Sequence, residues 1–234
     1  MNQSLSIFVE LLKTLPNVAI LYLFTILFSV PLGILGALAY TGKNKTVKFF
    51  ISVYTWIFRG TPLMLQLMVV YYGIPLMKIG GYKVVLEPYT AATITFIINY
   101  AAYLVEIMRS GIESIDKGQH EAAKVLGYSY WQKTIYIILP QAIRRVLPTL
   151  GNEAITLIKD TSLIYVLAVT EVMKRTKELA NFYYNITPYI CAIIIYLVLS
   201  FAVDRLFKNI EKRNRRKLTW KKSFALKEKT LYFK

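Results

Sequence analysis

Five long apolar stretches dominate the chain, and their lengths suit a bilayer, whose hydrocarbon core takes about 20 residues of helix. The first runs from Val18 to Ala39. Within it Ser29, Gly33 and Ala37 recur every fourth residue, a small-residue stripe that lets another helix approach closely. The second, Val47 to Ile79, exceeds one span and is interrupted by "RGTP", Arg59 to Pro62. Its pattern predicts that Leu63 to Met77 lies inside the bilayer, that Val47 to Phe58 lies in or near the interface, and that Arg59 snorkels to that interface. The third covers Tyr89 to Val105, the fourth Ala154 to Met173 and the fifth Ile186 to Val203. No solenoid-type repeat is visible.

A polar insertion separates the third and fourth stretches and includes "HEAAKVLGYSYWQKTIYIILPQA", His120 to Ala142. Asp116 with Gln119 reads as a cap and its N3 partner, opening a short helix that Gly127 closes. Ser129 with Gln132 repeats the signal for a second helix, which is predicted to stop at the Leu139-Pro140 step. Ala122, Ala123 and Leu126 give the first helix a small apolar face. Such a face suits an amphipathic helix packed on its own bundle, or a knob that a soluble partner grips.

Composition agrees with the pattern. The chain is 56% hydrophobic with a mean hydropathy of +0.44, which predicts an all-α polytopic membrane protein. The net charge of +16 lies in short linkers and the tail, a distribution expected beside a bilayer and not a nucleic-acid footprint. Residues 1–209 read as the membrane domain, with a polar loop at about 107–150 inside it, and residues 210–234 as a basic tail. Lys212, Arg213, Arg215, Arg216 and Lys217 of that tail are expected against anionic headgroups. The basic linker "TGKNKTVK", the third linker with Lys117, Lys124, Lys133, Arg144 and Arg145, and the tail belong in the cytoplasm, which puts the N-terminus outside. Lys174, Arg175 and Lys177 then fall on the outer side, against the rule. The first residues lack the n-region and cleavage site of a signal peptide, so the first span is expected to remain.

Candidate chemistry is sparse. Cys191 is the one cysteine, so no disulfide forms within the chain and a buried apolar role is expected. His120 has no partner at ligand spacing, so no metal site is predicted. "GALAYTGKN", Gly36 to Asn44, misses the phosphate-loop pattern in both its glycine spacing and its final residue. With no triad either, the chain is expected to hold no cofactor and not to be an enzyme.

The fourth stretch carries charge into the bilayer, at about 2.5–3.5 kcal/mol per charged residue on insertion scales. Glu153, Thr156 and Asp160 share one helix side, with Asn152 and Lys159 on the adjoining strip. One reading is an internal ion pair of Lys159 with Asp160 or Glu153. The other is a substrate site that also uses Thr161 and Ser162, the Asp160 carboxylate meeting an ammonium group and nearby hydroxyl or N–H groups a carboxylate. Asn99 and Gln66 are further candidates for the same cavity. Two acids against one lysine lean toward a cationic amino acid.

The insertion resembles a known motif. "EAAKVLGYSYWQKTIYIILP" fits the EAA loop of ABC-importer permease subunits, with Glu121, Ala122, Ala123, Gly127, Ile137, Leu139 and Pro140 at the pattern positions. "RGTPLMLQLMVVYYGIP", "YLVEIMRSGIESIDKGQ" and "LPTLGNEAITLIKDTSLIYVLAVTEV" resemble stretches of the polar amino-acid uptake branch, similar to histidine, arginine and glutamine permeases. The resemblance implies a type I importer permease with about five transmembrane helices in the bacterial plasma membrane. It implies that Glu121 to Gly127, Lys124 and Leu126 included, is the coupling helix for a separate ATPase subunit that carries ATP and magnesium. It further implies a second permease copy, most simply an identical one, an extracytoplasmic binding protein, and a polar L-amino acid as cargo. From the residues alone, an ion channel, a proton-coupled carrier or a non-transporting scaffold would also suit such a chain.

Overall fold

In this computed structural model residues 3–77 and 83–232 are described, with side chains as far as 214. The chain is helical throughout its described core. Helix α1 (Gln3–Leu12) leads into α2 (Leu15–Thr41), and a turn at Gly42 leads to α3 (Lys45–Gly60). After a break at Thr61-Pro62, α4 (Leu63–Met68) passes through a π-helical turn (Val69–Gly73) into α5 (Ile74–Leu76). Helix α6 (Pro88–Glu113) follows, then the short α7 (Lys117–Val125) and α8 (Tyr130–Lys133), a π-helical turn (Thr134–Ile138) and α9 (Leu139–Asp160). A 3-10 segment (Thr161–Leu167) leads to α10 (Val172–Tyr183), and α11 (Thr187–Tyr232) closes the chain.

Helices α2 and α6 run parallel and touch along their length. The Tyr89 hydroxyl donates to the Asn17 carbonyl at 2.7 Å near their starts. Farther along, a Cβ at Gly33 would overlap that of Leu104, and one at Gly36 would sit 2.5 Å from Val105 Cγ2. Ser29 and Ala37 are buried beside them, so the small-residue stripe is the seam it was expected to be. Helix α9 runs antiparallel to α6, with Gly111 against Val146 at one end and Tyr100 against Asp160 at mid-length. Cys191 is buried against α1 and α10 as a small apolar group.

Gln3–Thr41, Pro88–Glu113 and Thr187–Asn214 are long and apolar enough to cross a membrane, and Lys45–Gly60 with Leu63–Leu76, bent by 102°, makes a fourth if counted as one span. Within that bent pair α3, which holds Val47 to Phe58, packs on α6. The Tyr54 hydroxyl donates to the Ile98 carbonyl at 2.5 Å, so α3 lies along the middle of α6. The fourth stretch is corrected. Ala154 to Met173 is not one helix, because α9 begins at Leu139 and gives way to the 3-10 segment at Thr161, which Ala168 ends in a left-handed conformation.

The predicted stop at Pro140 does not occur either. The π-helical turn before it widens the helix, and Pro140 falls at the start of α9, where its missing N–H costs no bond. The other loop signals hold in part. Ser129 and Gln132 form a reciprocal capping box. Asp116 caps α7 by accepting from Gly118 N–H, but Gln119 accepts from Gln141 and does not complete a box. Gly127 has φ +76°, a conformation open to glycine at little cost, and closes α7 as predicted.

The basic residues expected on the outer side have partners. Lys174 donates to the Ala168 carbonyl at 2.6 Å, Arg175 pairs with Glu10 at 2.9 Å and Glu178 at 3.1 Å, and Lys177 lies 4.0 Å from the Tyr165 ring centre. Local neutralisation is a physical reason for the departure from the charge rule. Of the tail residues, Lys212 and Arg213 are exposed, while the side chains of Arg215, Arg216 and Lys217 lie outside the described residues.

Candidate functional site

The bend between α3 and α4 creates the main polar site. Ending α3 at Gly60 leaves carbonyls without intrahelical partners, and Pro62 supplies no N–H to continue the ladder. Two amides fill the need. Gln66 Nε2 donates to the Phe58 carbonyl (3.0 Å), the Thr61 carbonyl (3.1 Å) and the Thr61 hydroxyl (2.8 Å). Asn99 Nδ2 donates to the Phe58 carbonyl (3.0 Å) and to Gln66 Oε1 (2.9 Å). Asn99 and Gln66 thus hold the break open, and Asn99 is 3% exposed.

The break exposes a cavity of about 490 Å³ between α3, the start of α4, α6 and α9. Its polar lining includes Arg59, Asn99, Tyr100, Tyr103, Glu153, Thr156 and Asp160, whereas Gln66 stands behind it. Asp160 sits at mid-depth, because its Oδ2 accepts from the Tyr100 hydroxyl at 2.7 Å and Tyr100 lies halfway along α6. The Arg59 side chain is 43% exposed, and its guanidinium lies 3.7 Å from Glu106 Oε2 and 5.7 Å from the centre of the Tyr103 ring, attractions that draw it toward α6.

The predicted acidic face divides at this point. Glu153, Thr156 and Asp160 share the cavity, whereas Lys159 and Ser162 line a different, apolar cleft with Tyr189 and Tyr196. The Ser162 hydroxyl donates to the Lys159 carbonyl (2.7 Å) and the buried Thr161 hydroxyl to the Ile158 carbonyl (2.6 Å). Both hydroxyls therefore donate to their own helix. Among the described residues no ion pair joins Lys159 to Asp160 or Glu153. Tyr103, one turn on from Asn99 and expected with it, lines the cavity; Arg59 and Tyr100 were missed as lining residues, although an arginine within an apolar stretch is itself a site signal.

The second feature is α7. Ala123 is 1% exposed and packs inward, while Val125 is 88% and Leu126 73% exposed. Glu121, Ala122, Lys124 and Gly127 are also exposed. The apolar surface turned to solvent is therefore Ala122, Val125 and Leu126, and of the expected face Ala123 alone turns inward, as its anchor. Val125 was not singled out from the sequence. Three or more metal-ligating side chains come together nowhere among the described residues.

Residues 29–216 match the family described as "Binding-protein-dependent transport system inner membrane component". The chain is 39% identical over 184 residues to the arginine transport system permease protein ArtQ of Bacillus subtilis (strain 168), spanning 77% of this chain and 82% of that one. It is 35% identical over 183 residues to the glutamine transport system permease protein GlnP of Escherichia coli (strain K12), spanning 78% and 82%. A crystal structure of an amino acid ABC transporter with histidines superposes with a TM-score of 0.77 at 32% identity, over 89% of this chain and 94% of that one. The inward-facing MetNI methionine ABC transporter shares the fold, with a TM-score of 0.71 at 18% identity over 91% and 98%.

Proposed function

On the premise that the chain belongs to the family of binding-protein-dependent transport system inner membrane components, we propose that it passes a basic L-amino acid across the bacterial cytoplasmic membrane. The observation that carries the reading is the charge set of the mid-depth cavity, two carboxylates (Glu153 and Asp160) and one guanidinium (Arg59). A zwitterionic amino acid presents one ammonium and one carboxylate. Arg59 suits the carboxylate, Asp160 suits the α-ammonium, and Glu153 is left for a cationic side chain. Among the similar proteins the arginine transport permease has a basic cargo and the glutamine transport permease a neutral one, so the charge set of the cavity carries the choice.

The drive comes from elsewhere. No phosphate loop lies on this chain, so ATP and magnesium belong to a separate ATPase subunit, docked on the exposed Val125-Leu126 face of α7. A second permease copy completes the membrane unit, and a binding protein delivers cargo from outside. The test is uptake by the assembled importer in proteoliposomes with ATP inside, comparing arginine, histidine and glutamine. Arginine or histidine should be preferred, and Glu153→Gln should shift the preference toward glutamine. Equal uptake of glutamine by both proteins would remove the basic assignment, and substrate-evoked current without the ATPase would favour a channel or coupled carrier.

A further inference from the structure

A separate cleft lies at the end of the bundle that the basic linkers share. It measures about 600 Å³ and lies between the α2–α3 turn and α8. Leu38 and Val47 supply apolar wall, Lys43 and Asn44 come from the turn, and Tyr130 and Trp131 come from α8. We propose that this cleft binds an anionic phospholipid, its phosphodiester at Lys43 and Asn44 and an acyl chain along Leu38 and Val47.

Position, chemistry and charge support the assignment. The turn follows α2, which is long and apolar enough to cross a membrane, so the cleft at its end stands where headgroups meet acyl chains. Trp131 is 60% and Tyr130 42% exposed, and their rings meet edge to face at 5.5 Å. Aromatic side chains with one polar edge settle at headgroup depth. No acid lines the cleft. Lys133 lies over Tyr130 at 5.5 Å and Lys48 over Tyr40 at 5.9 Å, whereas Lys43 and Lys45 make no ion pair among the described residues, and of those two Lys43 lines the cleft. An ammonium at the membrane surface with a free coordination sphere is complementary to a phosphodiester. Because α8 continues the loop from α7, an occupied cleft ties the docking helix to the leaflet. The cargo assignment plays no part in this proposal.

Trp131 reports the occupant directly. The full chain with Trp56→Phe and Trp220→Phe is reconstituted in phosphatidylcholine vesicles containing increasing fractions of dibrominated phosphatidylglycerol or dibrominated phosphatidylcholine. Trp131 fluorescence should be quenched at a several-fold lower fraction of the glycerol lipid. Lys43→Gln should abolish that preference, and Lys45→Gln, outside the cleft, should keep it. Equal quenching by the two lipids, no quenching by either, or a preference that survives Lys43→Gln overturns the proposal. An equal loss in Lys45→Gln reduces the effect to general surface charge and also overturns it. Relief of quenching by inorganic phosphate would assign the cleft to a free anion, not a lipid.

Discussion

The hydroxyl of Tyr100 donates a 2.7 Å hydrogen bond to the carboxylate of Asp160, joining the midpoint of α6 to the last residue of α9. The bond orients one carboxylate oxygen at the depth where a charge is most costly. It leaves the rest of that carboxylate for a cation.

Asp160→Asn keeps the shape and removes the charge, so uptake and substrate-stimulated ATP hydrolysis should be lost while assembly with the ATPase persists. Tyr100→Phe should weaken apparent affinity by about tenfold, the scale of one hydrogen bond to a charged group. Lys159→Gln should be tolerated far better, since Lys159 lines another cleft. Normal transport by Asp160→Asn would move the cargo site elsewhere.

Asn99→Ala and Gln66→Ala should act on stability. Each removes one of the two amide donors to the Phe58 carbonyl at the α3–α4 break, and the double variant leaves that carbonyl without either, at a cost of about 1–3 kcal/mol for a buried group left unpaired. Thermal denaturation in detergent should show the loss, with unchanged half-saturation for cargo in the protein that remains folded. Unchanged stability with collapsed affinity would mean that the amides serve cargo directly.

On α7, Leu126→Asp should weaken capture of the ATPase subunit in a pull-down without reducing membrane insertion, because Leu126 is exposed. Ala123→Trp should instead destabilise the loop itself, as Ala123 is buried and overpacking costs about 1–3 kcal/mol. Limited proteolysis separates the two. Full ATPase binding by Leu126→Asp would exclude this face as the dock.

Acid should loosen α7. Partial burial, with Lys133 nearby, holds the His120 imidazole below its usual value of 6.5, so the docked helix favours the neutral ring. Its contribution is complete above the ordinary histidine pKa and declines as pH falls below it. Amide exchange in α7 should therefore quicken between about pH 7 and about pH 5.5, and His120→Gln should flatten that response.

Gly33→Val should separate α2 from α6, since a Cβ there already overlaps Leu104. A loss of about 1–3 kcal/mol in stability is expected, read as a lower melting temperature. An unchanged melting temperature would show that the seam can yield.

Much of this protein was written locally. The apolar runs, the small-residue stripe of α2, the capping box at Ser129 and the glycine closing α7 are each set by a few neighbouring residues, and each was legible before any packing was known. The EAA motif likewise sits in one continuous stretch, so the family could be read from it. The site could be read only in part. Lys159 and Asp160 are adjacent in sequence, but successive residues differ by about 100° around a helix, so one faces the cavity and the other the opposite cleft. Which of them faces α6 depends on how α9 is rotated against it, through contacts such as Gly111 with Val146 from a distant part of the chain. The same holds for Arg59, whose neighbours Glu106 and Tyr103 belong to another helix. It holds equally for Asn99 and Gln66, whose task exists only because α3 breaks beside them. Local sequence determined which helices form and which motif joins them. Tertiary packing decided which way their polar side chains face, because a helix's rotation is set by partners remote along the chain.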